Sequence, residues 1–388
     1  MTSDKKVLFV TAKWPELTSS TDGGDSTTNE IIMSLRDNYN LDMLCFRNDI
    51  ADGNSINGVR NIFFYQDDFA LFGYYSLHNE EKFRARIKQS RIARDEIRKR
   101  CNEYDFIVVQ HDMFILSMHD DEDILEKTVL FPMFTGGSYL KCGEDVPEKY
   151  LDLEKAVLKK VRLIVTPSIV EKTMLVKEYG VPVDHIVIIP RPVQYKPSFM
   201  QMTSKDKVGL VYVASVRLQK NHLLAMKLVK RLVDEGIDAE LQCVGAIQDE
   251  AIYSECLDYL KSHDLMSRVV FWGSQSHEKL LEIMKKNDIN ISVSKWETFG
   301  RGIYEGMAYG LPTIVLDSLE CVSGATNIGV YPIITDGIDH MAEEIIDLCN
   351  DENRYLHESL KGKQIGNLLN RADILDEIRK KYNEVFDN

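Results

Sequence analysis

The sequence opens a strand, loop and helix in the same way twice, and that repetition narrows the choice of fold more than any other feature. KVLFVTA, Lys6 to Ala12, is an apolar run with the length of a buried strand; a loop of Ser, Thr, Gly and Asp follows, then helical spacing over Asn29 to Arg36. VGLVYVA, from Val208, does the same, passing through SVRLQKN into LLAMKLVKRLVDEG. Further strand-like runs lie at Leu41 to Phe46, Val59 to Tyr65, Phe106 to Gln110, Thr128 to Phe131 and Leu163 to Thr166. The second half adds Glu240 to Val244, Arg268 to Trp272, Ile289 to Ser292 and Thr313 to Leu316. When helices separate successive strands, each crossover sets the next strand parallel to the last, which predicts an α/β fold of doubly wound parallel sheets.

The 388 residues exceed what one core fills comfortably, since single cores stop growing near roughly 250–300 residues. Between Ile186 and Lys207, IVIIPRPVQYKPSFMQMTSKDK ends a strand in a Pro-rich polar stretch that sustains no regular element. It is read as a linker between an N-terminal domain over 1–195 and a C-terminal domain over 206–370. The remaining 371–388 contains an amphipathic helix, Asp373 to Phe386, able to pack back on the first domain. Open α/β sheets bind ligands outside the carboxyl ends of their strands. Two such domains facing across a cleft would bring both ligand edges to one gap.

Charge and cysteines argue against several classes. With 61 Asp and Glu against 47 Lys and Arg, the formal charge is −14, which repels nucleic-acid phosphates over most of the surface. The seven cysteines are scattered without Cys-x-x-Cys or Cys/His metal spacing, so neither a disulfide framework nor a zinc site is expected, and a reducing cytoplasm suits them. No run reaches the ~18 apolar residues of a membrane span. The opening apolar stretch is too short for a signal peptide.

The stretch with most chemical content is KWETFGRGIYEGMAYGLPTIV, Lys295 to Val315. It places Glu297 after a strand, then a turn through Thr298, Phe299, Gly300, Arg301 and Gly302, then a helix bearing Glu305. Glycines let backbone approach a ligand, and a helix start offers unpaired N–H groups and partial positive charge, which together suit phosphate or sugar oxygens. A second strand end, after VGLVYVA, carries Arg217 and Lys220 at a helix entrance. Positive charge there can receive a leaving diphosphate.

Glu297 and Glu305, eight positions apart, together with Phe299, Gly300, Met307, Ala308, Gly310 and Pro312, resemble the E-x7-E motif of the retaining glycosyltransferases of family 4, glycosyl transferases group 1. That family's pattern runs roughly E-G-F-G…E-A-M-A-x-G-x-P. The resemblance implies the GT-B fold, two Rossmann-like domains facing across a cleft, with a nucleotide diphosphate sugar held mainly by the C-terminal one. It implies that Glu297 contacts donor-sugar hydroxyls, that backbone from Thr298 to Gly302 reaches sugar or phosphate oxygens, that Glu305 holds the ribose hydroxyls, and that Arg217 and Lys220 meet the diphosphate. The chain departs from the family's G-R-L-x-x-x-K, because Val216 precedes Arg217 and Lys220 follows only three positions later.

Other positions match at lower density. Gly273, ending VVFWG, falls in a segment that faces the base in the family, and Ser323-Gly324-Ala325 is a further small-residue loop of the donor pocket. Gly23 and Gly24 match the family's glycine-rich loop near the diphosphate, although such a pair also serves as a plain surface turn. His111 with Asp112, after FIVVQ, resembles a His-x-His-Asp region lining the cleft; a strand-end histidine also serves as a structural hydrogen-bonding residue. Thr135, Gly136 and Gly137 stand where many members carry a histidine, and Arg191 with Pro192 replaces the usual I-P-N-G-V turn.

Lys82 to Arg100, KFRARIKQSRIARDEIRKR, holds nine Lys or Arg against two acidic residues. Phe83, Ile87, Ser90, Ile97 and Cys101 fall near helical spacing, so the segment reads as a basic amphipathic helix. Such a helix either presents a solvated face or sits on anionic lipid.

The expected activity is hexosyl transfer with retained configuration from a nucleotide diphosphate sugar (UDP-, GDP- or ADP-linked), with no cofactor and no bound metal. Arg217, Lys220 and helix dipoles would meet the phosphate charge, and His111 is counted with Glu297 among the catalytic residues. The family's commonest use points to a glycan or lipid-linked acceptor of cell-surface polysaccharide synthesis, and to a cytoplasmic enzyme, peripherally bound to membrane if the basic helix binds lipid. Two rival readings keep the same fold: a nucleotide-sugar epimerase, and a non-catalytic subunit that binds a sugar or partner protein.

Overall fold

The computed structural model describes residues 4–14, 23–46, 55–65, 80–193, 207–322 and 329–386, in two compact units. The first comprises Gly24–Pro190 and Ala372–Asn388 together with the N-terminal strand. Its strands are β1 (Lys6–Thr11), β2 (Asn40–Cys45), β3 (Ile62–Phe64), β4 (Phe106–Gln110), β5 (Thr128–Phe131), β6 (Leu163–Thr166) and β7 (Ile186–Ile188). They pair in the order β3-β2-β1-β4-β5-β6-β7, all parallel. The helices are α1 (Gly23–Leu35), α2 (Glu80–Arg98), α3 (Glu122–Leu125), α4 (Gly136–Lys141), α5 (Glu148–Leu158) and α6 (Ile169–Tyr179). Every residue of β4 is buried, as a parallel strand covered on both faces must be. Chain order reverses between β1 and β4, where Gln110 accepts from Thr11 Oγ1 at 2.7 Å and from Thr28 Oγ1 at 2.6 Å, joining both strand ends to α1.

The second unit comprises Arg191–Arg371. Its strands are β8 (Lys207–Val213), β9 (Asp238–Val244), β10 (Val269–Phe271), β11 (Ile289–Ser292), β12 (Thr313–Leu316) and β13 (Ile333–Thr335). They lie in the order β10-β9-β8-β11-β12-β13, again all parallel. The helices are α7 (His222–Asp234), α8 (Glu250–Ser262), α9 (His277–Met284), α10 (Arg301–Tyr309), α11 (Ile338–Asn350) and α12 (Glu352–Leu368). Here the order reverses between β8 and β11. Arg191 to Val193 belong with this unit, the Val193 amide donating to the Leu369 carbonyl at 3.0 Å.

The last helix, α13 (Arg371–Phe386), closes the core of the first unit. Ile374, Leu375, Ile378 and Tyr382 are buried with Val7, Phe9, Ile31 and Val108. Tyr39 donates to Asn383 Oδ1 at 2.6 Å, and Arg162 to the Val385 carbonyl at 2.8 Å.

All seven cysteines are buried free thiols. No helix among the described residues is long and apolar enough to cross a membrane. The basic segment does form a helix, but its charge is not laid out as one solvated face. Lys82 pairs with Glu144, Arg84 with Glu80, Arg94 and Arg98 with Asp121, and Lys99 and Arg100 with Glu96. Arg86 is buried, donating to Tyr139 and Tyr150. Three of those acids, Glu80, Asp121 and Glu144, lie outside the segment, so its local composition overstates the charge it presents.

Candidate active site

The order reversal of the second sheet puts the carboxyl ends of β8 and β11 side by side, the place where open parallel sheets bind ligands. From β8 the chain runs through Arg217 into a 3-10 turn, Leu218–Lys220, and Asn221 in left-handed conformation (φ 52) starts α7 with no side-chain cap. From β11 it runs through Lys295 to Phe299, and Gly300 (φ 80) starts α10, also with no side-chain cap. Gly300 tolerates this φ because it lacks a Cβ. At Gly302 the demand is space: a Cβ would fall 2.7 Å from the Val213 carbonyl oxygen, so the first turn of α10 lies directly on the end of β8.

Two residues join the loops. The Gln219 carbonyl accepts from the Lys295 amide at 2.8 Å, and its side-chain amide donates to the Trp296 carbonyl at 2.6 Å. The Tyr212 hydroxyl donates to the Lys220 carbonyl at 2.6 Å and lies 2.8 Å from Ser294 Oγ. The outcome is an ion pair across the strand ends, Lys220 Nζ donating to Glu297 Oε1 at 2.5 Å, with side chains only 13% and 12% exposed. The 3-10 turn takes up the short Arg217-to-Lys220 spacing and still delivers Lys220 to the carboxylate. Sequence reasoning singled out neither Gln219 nor Tyr212, because each acts through partners distant along the chain.

The other expected residues fall as follows. Arg217, Thr298, Arg301 and Glu305 are half-buried along the same edge. Phe299 is buried against Tyr304, ring centroids 4.8 Å apart, so only its backbone can serve a ligand. Gly273, past β10 at the sheet's far side, has φ 66 and open space where a Cβ would stand, while its carbonyl accepts from the Gly245 amide at 3.0 Å. His111 ends β4 in the first unit. Gly23 and Gly24 begin α1; the loop before them and Ser323-Gly324-Ala325 lie outside the described residues.

Beneath Lys220, His222 is fully buried, its ring 4.9 Å from that of Tyr212 and 6.4 Å from that of Phe271. Burial, and then the charge of Lys220, push its pKa down from 6.5 to about 3. Between those values the unfolded chain takes up a proton that the folded chain refuses, so stability falls as pH drops. From pH 7 to pH 5 the loss at this one site is about 2 kcal/mol. His222→Phe, which keeps an aromatic ring in the stack, should flatten that part of the pH dependence. Urea unfolding of both proteins at the two pH values measures it, and equal slopes would refute the assignment.

Residues 198–364 match the model of the family described as Glycosyl transferases group 1. The match spans most of the second unit, Arg191–Arg371. This chain is 30% identical over 141 residues to the putative glycosyltransferase EpsF of Bacillus subtilis, covering 36% of this chain and 35% of that protein. The chain thus aligns with about a third of the length of the first curated relatives it matches. Among solved structures, the sucrose-phosphate synthase of Thermosynechococcus elongatus superposes with a TM-score of 0.78 over 98% of this chain and 99% of that one, at 15% identity. HepE of Anabaena, in complex with UDP and glucose, superposes with a TM-score of 0.70 over 98% and 100%, also at 15% identity. At such identities the likeness is one of fold: two parallel-sheet α/β domains of the GT-B type.

Proposed function

We propose that this chain is a retaining glycosyltransferase that takes a hexosyl group from a nucleotide diphosphate sugar without a metal ion or cofactor. The observation that carries the reading is the Lys220–Glu297 pair, 2.5 Å apart at two adjoining strand ends, each followed by a helix start with no side-chain cap. A cation and two helix dipoles suit a diphosphate, and a carboxylate beside them suits sugar hydroxyls. In this reading a bound donor draws Lys220 to its phosphates and leaves Glu297 to the sugar, with Arg217 beside Lys220. Glu305 holds the ribose, the backbone of Thr298 to Gly302 serves the diphosphate-sugar, and Gly273 lies along the base.

The acceptor oxygen bonds to the anomeric carbon on the face from which the diphosphate leaves. The bond from carbon to diphosphate breaks, and the acceptor proton passes to a phosphate oxygen. The first unit takes the acceptor, with His111 at its strand end. Similarity to proteins such as the lipopolysaccharide 1,6-galactosyltransferase of Salmonella typhimurium supports a cell-surface glycan or lipid-linked acceptor. Peripheral membrane contact through Lys82 to Arg100 draws little support from a helix whose cations are so largely paired.

A donor screen tests the proposal. UDP-glucose, GDP-mannose and ADP-glucose are each incubated with the protein, and thermal shift and released nucleoside diphosphate are recorded. The HepE complex makes the UDP-sugar the first to try. Stabilisation by one donor, with slow hydrolysis that Glu297→Ala abolishes, is expected. Indifference to every donor would sink the transferase reading in favour of a non-catalytic protein.

A further inference from the structure

The turn that carries Lys220 has little of its own to hold it. The bonds inside it, from the Lys220 amide to the Arg217 carbonyl at 3.0 Å and from the Asn221 amide to the Leu218 carbonyl at 3.3 Å, are of the 3-10 kind, with poorer geometry than those of an α-helix. Asn221 then leaves the turn in the left-handed region, φ 52 and ψ 43, which Asn visits more readily than other residues with a Cβ but still at a cost. Lys220 stands between a weak turn and a backbone reversal. Where its ammonium points therefore depends on bonds from outside the turn.

Two side chains supply such bonds, at different places. Gln219 ties the middle of the turn to the main chain of Lys295 and Trp296. Tyr212 acts on the Lys220 peptide itself, its hydroxyl 2.6 Å from the Lys220 carbonyl oxygen. The tyrosine is a rigid strut: it rises from β8, is buried, and its ring lies 4.9 Å from that of His222, just beyond Asn221. With the ring packed in this way, only the hydroxyl hydrogen is left to turn.

The direction of that hydrogen follows from what each partner can do. A carbonyl oxygen only accepts, so Tyr212 gives its one hydrogen to Lys220. At the 2.8 Å contact with Ser294 Oγ, Tyr212 is then the acceptor and Ser294 the donor. Ser294, its own hydrogen committed, accepts in turn from Ser292 Oγ at 3.5 Å. The three hydroxyls thus point one way, from the end of β11 to the Lys220 carbonyl, and all three residues are buried. Ser294 lies shortly before Glu297, so the chain of hydroxyls joins the segment that carries the carboxylate to the peptide that carries the cation.

We propose that Tyr212 is a positioning residue for sugar transfer, whose hydroxyl fixes the Lys220 main chain and so holds the ammonium where it meets Glu297 in the unloaded site and the diphosphate in the loaded one. The diphosphate rests on the transferase reading; the hold on Lys220 does not.

Tyr212→Phe removes one oxygen and keeps the ring beside His222, and two measurements on the full chain read its effect. The first is trace acetylation with acetic anhydride, scored by peptide mass spectrometry against Lys261, whose side chain is 62% exposed. Lys220 should react slowly in the wild type and about five to ten times faster in Tyr212→Phe, the scale set by one lost buried hydrogen bond. The second is kcat for hydrolysis of whichever of UDP-glucose, GDP-mannose and ADP-glucose the wild type cleaves. Tyr212→Phe should lower it about tenfold with donor KM unchanged. In a Lys220→Ala background it should lower it no further, because a residue that acts through Lys220 then has nothing to position. Unchanged labelling of Lys220, or an equal loss of kcat in both backgrounds as a merely structural role would give, overturns the proposal. Ser294→Ala, which removes the bond that Tyr212 accepts, should move both measurements the same way by less; should Tyr212→Phe fail to fold, this variant decides, and no change in either measurement overturns the proposal. Absence of hydrolysis of every donor by the wild type would instead overturn the transferase reading, while the labelling still decides whether Tyr212 holds Lys220.

Discussion

Lys220→Ala is expected to lower kcat for sugar transfer by about two to three orders of magnitude, the scale on which enzymes lose rate when one preorganised donor to a developing anion is removed. The reason lies in timing. In the unloaded site Lys220 is engaged with Glu297 at 2.5 Å, so its charge is available to a diphosphate only by exchange of partners, and negative charge grows on that diphosphate as its bond to the sugar breaks. The effect should therefore fall on kcat more than on donor KM. Lys220→Arg should recover only part of the rate, because a planar fork on a stem held by the 3-10 turn does not place charge where an ammonium does. Removing the cation also leaves a largely buried carboxylate without its partner, a loss that costs about 3 kcal/mol in comparable settings. The double variant Lys220→Ala, Glu297→Ala should accordingly be more stable than the sum of the single changes allows. Steady-state kinetics with the donor found by screening, and a double-mutant cycle by denaturant unfolding, check both halves. A change confined to KM would show that Lys220 binds ground and transition states equally and has no part in the departure step.

Much of the fold could be read from residues because the strands that matter are buried on both faces. FIVVQ, TVLF, LIVT, INIS and TIVL are short, largely apolar runs without a charged residue, and the structure ends β4, β5, β6, β11 and β12 where those runs end. β13 escaped notice because Ile333–Thr335 has only three residues, too few for any periodicity to register. Local sequence also placed Lys220 and Glu297 at strand ends, but nothing local brings them together: that work falls to Gln219 and Tyr212, whose neighbours along the chain give no hint of it. Glu154 is the plainest case. It reads as one more charge on an amphipathic helix, yet it is fully buried and braces a turn 18 residues away. The basic helix shows the converse, a strong local signal offset by Glu144 and Asp121 from elsewhere in the chain.

Gly362→Ala should be the most damaging single methyl addition in the second unit, although it lies on α12 and outside every motif. A Cβ there would sit 1.6 Å from the Met307 carbonyl oxygen and 3.3 Å from the Gly310 Cα. Both are backbone atoms of the segment that carries the site, so no rotamer change relieves the clash; α10 or α12 must move as a body. Overpacking of this kind costs about 1–3 kcal/mol and occasionally more, and for a unit of this size each kcal/mol lowers Tm by about 2–4 °C. A fall of roughly 5–10 °C is expected on that basis. Motion of α10 has a further consequence, since Gly302 presses on the Val213 carbonyl at one end of the helix and Ser359 donates to the Gly310 carbonyl at 2.6 Å at the other. A helix pinned at both ends cannot shift without tilting Glu305 and the Gly300 turn. Donor affinity, read by thermal shift or calorimetry, should therefore weaken together with stability. Gly236→Ala is the natural comparison: that glycine also has a positive φ, 84, but no atom lies within 4 Å of the added methyl. It should lose stability through backbone strain alone and keep its donor affinity, because the turn after α7 bears on neither strand end of the site. Loss of donor affinity in both variants would mean that affinity merely follows global stability and that the α10–α12 contact has no special hold on the site.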